Sequence, residues 1–427
     1  MPDSRAKFSL LGSVSLGTGV MIGAGIFALV GQVAALAGGF MPLAFLAGAL
    51  VVAFSAYSYV KYSNTNPTSG GIAMLLKAAY GSGVVAGSFS FFMYVSMVVA
   101  ESLLARTFGT YVLRPFGLEG NAFLVPALGV LAISLAALVN IFGNRLVEGS
   151  AMTTAAAKIV GLAVLAVAGI AASGLSSFTG IVAPETAPEH GILGFLAGTT
   201  LCILAYKGFT TITNQGADVR DAKRNIGRSI AISIALCAAL YLLITTATAA
   251  SLDVADIVKA RDYAIAAAAD PLFGAWGVVL TIAIAIIATL SGLLASLYSV
   301  SRLYEMLHDM GQAPVLPGRI SHQSLVITVG LAILVTVFFD LSQIASMGAL
   351  LYITMDIAVH WGVIRRLHST IGARRWVPVV AIVLDAIVLF AFVAVKVRSD
   401  LLTVSVTVAI ALAIFLNQWW FASHKRS

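Results

Sequence analysis

Long apolar runs, each closed by charge, proline or glycine, recur twelve times along the chain. They cover roughly residues 10–37, 40–60, 84–112, 122–141, 147–173, 192–214, 226–250, 273–300, 324–340, 343–364, 376–396 and 401–421. A helix needs about 20 apolar residues to cross a bilayer, so the pattern predicts an all-α polytopic membrane protein with 12 transmembrane helices. The ninth and tenth runs also read as one bent hydrophobic stretch.

Two of the runs are interrupted. Gly19-Val-Met-Ile-Gly-Ala-Gly-Ile-Phe27 lies inside the first, where Gly23 and Gly25 each weaken a helix by up to ~1 kcal/mol against alanine. In the sixth, apolar Leu193 to Ala205 gives way to Tyr206-Lys207-Gly208-Phe209 and then to Thr210 through Asn214. Non-helical backbone at membrane depth survives only against protein or a polar cavity, and transporters use such breaks to hold substrate and ions. For the glycines, the alternative is close helix packing through small residues. Two breaks five spans apart point to an inverted repeat. The expected organisation is a cytoplasmic N-terminus (1–9), a first repeat of spans 1–5 (10–173), a second of spans 6–10 (192–364), two further spans (376–421) and a cytoplasmic C-terminus (422–427).

Composition agrees with the pattern. Of 427 residues, 60% are hydrophobic and 10% charged, where a soluble domain carries about 25% charge. The net charge of +7 is topogenic. Seventeen basic residues fall on one side of the expected spans, among them Arg5, Lys61, Lys77, Arg220, Lys223, Arg224, Arg302, Arg365 and Lys425. Six fall on the other: Arg106, Arg114, Lys259, Arg261, Lys396 and Arg398. The positive-inside rule places both termini in the cytoplasm, and the asymmetry removes nucleic acid as a partner. Ser251 to Pro271, with four aspartates, fits an outer loop, and Trp376, Trp419 and Trp420 sit at span ends as interfacial anchors. Cys202 and Cys237 lie in apolar runs and imply no disulfide framework. No cleaved signal peptide is expected. The chain has no P-loop, no zinc-spaced His/Cys cluster and no nucleophile–base set. The six histidines are scattered, mostly near expected loops. Catalytic residues, metal and cofactor are therefore not expected, and a membrane enzyme is disfavoured.

The motif Gly19 to Phe27 resembles the first-helix motif of the amino acid–polyamine–organocation (APC) superfamily. Supporting stretches are Gly70-Gly71-Ile72-Ala73, Tyr80-Gly81, Asn140-Ile-Phe-Gly143, Ala205 to Phe209, Ser301-Arg302, Asp309-Met310-Gly311 and Pro314. The chain is most similar to the ApcT-type proton-coupled amino acid permeases, over almost its whole length. That resemblance implies the LeuT-type 5+5 inverted repeat, with helices 1 and 6 broken and substrate held between helices 1, 3, 6 and 8. It also implies that Lys158 stands in the fifth helix where sodium sits in sodium-coupled relatives, with Thr289 and Ser291 of span 8 beside it. Two departures are clear. The family's usual Glu-Glu pair and two spaced prolines after Gly208-Phe209 are replaced by Ala217-Asp218, Ala222 and Gly227, and Lys207 occupies a commonly neutral place.

The first break would expose amides of Ile22, Gly23, Ala24, Gly25 and Ile26 at a half-helix N-terminus, which suits a carboxylate. The second would offer carbonyls of Ala205 and Tyr206, beside Lys207 and Gly208, to an ammonium group. Lys158 lies eight residues in from Ser150, about 12 Å at 1.5 Å per residue. A charge at that depth costs at least ~2.5 kcal/mol on insertion scales and marks a functional group by default, the alternative being a lysine snorkelling to the interface. Glu101 in span 3 and Lys207 are opposite charges expected to pair or face a cavity. Asp356 and Asp385 read as hydrogen-bonded to neighbouring helices or to a water cavity. The expected function is import of amino acids with protons by alternating access. The alternatives are sodium coupling, or a carrier of polyamines or organic anions on the same fold; a channel or receptor would need no paired breaks.

Overall fold

The computed structural model describes residues 8–68, 70–142, 144–174, 188, 190–313 and 322–424. Fifteen α-helices carry the chain among these residues. In chain order they are α1 (Leu10–Ala37), α2 (Met41–Thr65), α3 (Gly71–Tyr80), α4 (Val84–Leu113), α5 (Leu124–Phe142), α6 (Asn144–Ser173), α7 (Gly191–Tyr206) and α8 (Thr210–Asn214). Then follow α9 (Ala222–Ser251), α10 (Val254–Lys259), α11 (Ala264–Asp309), α12 (Gln323–Phe338), α13 (Leu341–Gly362), α14 (Trp376–Ser399) and α15 (Leu401–His424). Each expected apolar run coincides with a helix. Ten helical stretches of the described residues are long and apolar enough to cross a membrane, whereas α12, in the ninth run, falls short of that length. The protein is a multi-pass, all-helical membrane protein.

Local chemistry sets the ends. The Ser9 side chain accepts from the Gly12 amide at 3.1 Å and starts α1. Asp340 and Gln343 form a reciprocal capping box at the start of α13, satisfying amides that the helix itself leaves open. Within α11, Gly274 adopts φ 61° and kinks the chain, a backbone conformation that a side chain disfavours. The kink separates a short arm from the membrane-length part of α11.

The bundle is apolar on the outside as well as the inside. Val160, Val164 and Val167 form an exposed stripe on α6, as do Leu131, Leu135 and Leu138 on α5. With lipid as solvent such faces need no cover. Polar side chains turn inward instead: Glu101, Lys158, Lys207, Asp356, His360 and Asp385 are all buried. Both cysteines, Cys202 on α7 and Cys237 on α9, are buried and unpaired.

Breaks and continuity differ from expectation in one helix of two. In the sixth run the α-helix stops at Tyr206, tightens to a 3-10 turn over Lys207–Phe209 and resumes as the short α8. The first run shows no such interruption: α1 is one hydrogen-bonded helix from Leu10 to Ala37. Its glycines serve close packing, because a Cβ on Gly23 would lie 2.9 Å from Leu104 Cδ2, and one on Gly25 2.9 Å from Ala205. Helical geometry tolerates glycine at a cost of ~1 kcal/mol, and contact with α4 and α7 holds the helix together here. The amides of residues 22–26 are therefore not presented as a free half-helix end in this conformation.

Candidate functional site

The two glycine-bearing segments meet at the centre of the bundle. Gly208, in the turn after α7, lies so near α1 that a Cβ would stand 2.7 Å from the Met21 amide nitrogen. Next to this contact is a cavity of about 40 Å³ whose lining includes Val20, Gly25, Met97, Leu104, Lys207 and Ser296. That volume holds about one water and is too small for an amino acid. Both ends of α1 are pinned. Phe8 pairs with the loop after α8, its amide donating to the Asp218 carbonyl at 2.8 Å and its carbonyl accepting from the Arg220 amide at 2.9 Å. At the other end, Gln32 Nε2 donates to Asp262 Oδ1 at 2.8 Å.

Around the glycines, α1 carbonyls take side-chain donors from three directions. Lys158 Nζ on α6 donates to the Gly19 carbonyl at 2.8 Å and to Ser291 Oγ on α11 at 2.9 Å. Tyr241 Oη on α9 donates to the Met21 carbonyl at 2.6 Å. Tyr111 Oη on α4 reaches the Phe27 carbonyl at 3.4 Å. A carbonyl has two lone pairs, so a helical C=O accepts a second donor without losing its own. The glycine segment is thus a polar junction although its helix is continuous.

Lys158 is 1% exposed, which rules out a lysine snorkelling to the interface. It ties α6 to α1 and α11 through the Gly19 carbonyl and the hydroxyl of Ser291. Thr289 is not part of this set: its hydroxyl bonds back to the Ala285 carbonyl at 2.8 Å within its own helix. Gly19 was not legible as a partner, because nothing in a sequence marks which backbone carbonyl faces a neighbouring helix.

Lys207 lines the cavity, but its direct partners lie on α4 one turn from the expected one. Its amine donates to the Ser96 carbonyl and to Ser96 Oγ, each at 2.7 Å, and lies 5.6 Å from the centre of the Tyr352 ring. Ser96 Oγ in turn donates to the Gly348 carbonyl at 2.8 Å, which locks α4 to α13. Glu101 is fully buried on α4 and feels Lys207 and Ser296. Neither of its oxygens makes a hydrogen bond of ordinary geometry, and no ion pair joins it to Lys207. Compact serine satisfies the ammonium within reach of the break, and Glu101 lies further along α4. Double-mutant cycles in thermal stability should therefore couple Ser96→Ala with Lys207→Met by about 0.5–3 kcal/mol. The cycle of Glu101→Gln with Lys207→Met should give a smaller value; the reverse order would restore the Glu101–Lys207 pair.

The remaining expected residues are structural neighbours of this centre. Ile22, Ile26 and Ala205 are buried. Ala24 lies within α1, and its side chain is outside the described residues. Tyr206 turns its hydroxyl away to the Phe45 carbonyl at 3.1 Å, and its ring meets that of Tyr241 at a tilt of 44° with centres 5.0 Å apart.

The model of the amino acid permease family matches residues 8–417. The chain belongs to the amino acid permease family. It is 29% identical over 378 residues to the inner membrane transport protein YbaT of Escherichia coli, covering 86% of this permease and 85% of that protein. It is 26% identical over 363 residues to a protein of Methanocaldococcus jannaschii, covering 84% and 82% of the two chains. The vacuolar cationic amino acid transporter 4 of Arabidopsis thaliana is 25% identical over 371 residues, which span 82% of the permease and 61% of that relative. The permease is an amino acid transporter, and enzyme function is excluded by its family.

Proposed function

We propose that this permease imports amino acids together with protons, with Lys158 as the group that takes up and releases the transported proton. The supporting observation is the position of the amine. It is buried at the junction of α6, α1 and α11, on the Gly19 carbonyl and Ser291 hydroxyl, and no carboxylate pairs with it among the described residues. Two acceptors match two N–H groups, so the geometry serves a neutral amine as well as an ammonium. An inserted ammonium also fills the space a sodium ion would need, which argues against sodium coupling. Because the amine bonds α1 next to the glycine segment, gain or loss of its proton acts directly on the helix that borders the cavity.

In this reading the substrate lies between α1, α4, α7 and α11, with alternating access produced by α1, α2, α7 and α9 rocking against the remaining helices. Twelve crossings, the 5+5 repeat and cytoplasmic termini belong to the same proposal. The 40 Å³ cavity then belongs to a closed intermediate. Opening must move α1 and α7 together away from α4 and α11, and that movement would give the carboxylate and ammonium of an amino acid access to the two segments.

The substrate proposed is an amino acid without a cationic side chain. Lys207 is the charged residue lining a cavity otherwise made largely of Val20, Leu29, Met97, Leu103, Leu104 and Leu204, and a second cation there would be repelled. Purified permease in liposomes, with imposed pH and sodium gradients and a panel of radiolabelled amino acids, tests both parts. Uptake should follow an inward proton gradient, ignore sodium and favour neutral side chains over arginine and lysine. Sodium-driven uptake would discard the coupling scheme, and preferred arginine uptake would discard the substrate class.

A further inference from the structure

Away from the cavity, three buried groups converge between α13 and α14. Asp356 and His360 lie one turn apart on α13, Asp385 is on α14, and all three are 0% exposed. His360 Nε2 is 3.4 Å from Asp356 Oδ1 and 3.8 Å from Asp385 Oδ2. One donor atom from each residue falls within 4.8 Å of the other two. The histidine lies inside the tenth apolar run, and the two aspartates, read separately from the sequence, form one group with it.

The surroundings hold this group in position without completing it. Ser58 Oγ on α2 lies 2.9 Å from His360 Nδ1, which leaves Nε2 directed at the carboxylates. Ser55 Oγ donates to Asp356 at 2.5 Å, and the Tyr59 hydroxyl donates to it as well. Three buried polar groups remain without a hydrogen bond of ordinary geometry: His360 Nε2, both oxygens of Asp385, and the hydroxyl of Tyr352 one turn before Asp356. Buried polar groups are nearly always satisfied, and exceptions call for a missing ion or water.

We propose that Asp356, His360 and Asp385 form a binding site for a divalent transition-metal ion of the zinc class. Zinc bonds to nitrogen and oxygen run about 2.0–2.2 Å, which places tetrahedral ligand atoms about 3.4 Å apart. The His360–Asp356 separation already has that value, the His360–Asp385 separation is a few tenths of an ångström beyond it, and all three ligand atoms lie within 4.8 Å of one another. An imidazole ligand selects zinc-like ions over calcium or magnesium, which prefer oxygen alone. The hydrogen bonds from Ser58, Ser55 and Tyr59 are the kind of outer contacts that orient metal ligands. Two carboxylates, a neutral imidazole and a divalent ion sum to zero charge, which suits burial between helices. The site adjoins the transport centre through Tyr352, whose ring meets the Lys207 amine, and through Tyr59, whose ring packs on Phe209 in the broken segment at 5.4 Å.

The test uses full-length, untagged permease stripped with chelator, dialysed against zinc and analysed for bound metal. One zinc per chain is expected, with binding weakened at least tenfold by Asp385→Asn and by His360→Gln. His308→Gln, at an exposed histidine beside Asp309, should leave binding unchanged. X-ray absorption of zinc-loaded wild type should show one imidazole among oxygen ligands at about 2.0–2.2 Å, a readout that stands even if a variant does not fold. Absence of retained zinc overturns the proposal and leaves the three groups as a hydrogen-bonded core. Equal binding by folded Asp385→Asn and His360→Gln, or a spectrum without an imidazole, overturns it too.

Discussion

Lys158→Ala should bind substrate and exchange it across the membrane but fail to concentrate it against a gradient. The amine makes two short hydrogen bonds in a buried junction, and bonds to charged groups contribute about 1.5–3 kcal/mol each. Truncation removes both and leaves a hollow between α6, α1 and α11, so a fall in melting temperature is also expected. Stability loss and coupling loss are separable with Lys158→Met, which keeps most of the volume and cannot carry a proton. In proteoliposomes, Lys158→Met should retain counterflow of labelled substrate while pH-driven accumulation falls to the background level. Undiminished accumulation by that variant would falsify the coupling role. Sodium dependence acquired by Lys158→Ala would instead support the view that the ammonium fills a cation's place.

The second large effect is expected at Gly25. A Cβ there would stand 2.9 Å from the Cα, Cβ and carbonyl oxygen of Ala205, and two of those three atoms are backbone that cannot swing aside. Gly25→Leu must hold α1 and α7 apart, so the proposed closed intermediate is lost and uptake with it, while insertion into the membrane persists. Overpacking a well-filled interior costs about 1–3 kcal/mol, enough to shift a conformational balance without unfolding the bundle. Gly25→Ala should be milder, and Ala205→Gly should recover part of its loss by returning the space of one methyl group. Normal uptake by Gly25→Leu would show that α1 and α7 need not meet during transport. Failure of Ala205→Gly to help Gly25→Ala would point to a direct role of Gly25 in substrate binding instead.

The helices were legible because lipid imposes one rule on a whole run of residues: apolar side chains over a membrane's thickness, with punctuation at the ends. Local chemistry also marked the break after Tyr206, since Lys207-Gly208-Phe209 combines a charge with glycine at depth. The same signal misled in the first run. Glycine weakens a helix and also permits close approach, and the choice between the two depends on Leu104 and Ala205, which come from other helices. Pairing followed a similar divide. Lys158 and Ser291 were foreseeable through a family pattern covering both. Lys207 found Ser96 because α4 presents that residue at the break, and Glu101 was the more conspicuous charge only in the sequence. His360 was hidden for another reason. Its partners are four residues away on α13 and on α14, and a metal-like spacing between helices leaves no fixed interval along the chain.

The two buried cysteines make the native chain a quiet background for thiol chemistry. Cys202 and Cys237 are both 0% exposed, so maleimide reagents added to this conformation should find no native target. Cys202 has a further use, because its Cβ would lie 2.7 Å from a Cβ placed on Gly48 of α2. A reagent reaches that sulfur only when the helices packed around it part. Its labelling rate is therefore a built-in clock for helix separation, readable by mass spectrometry without introducing a single substitution.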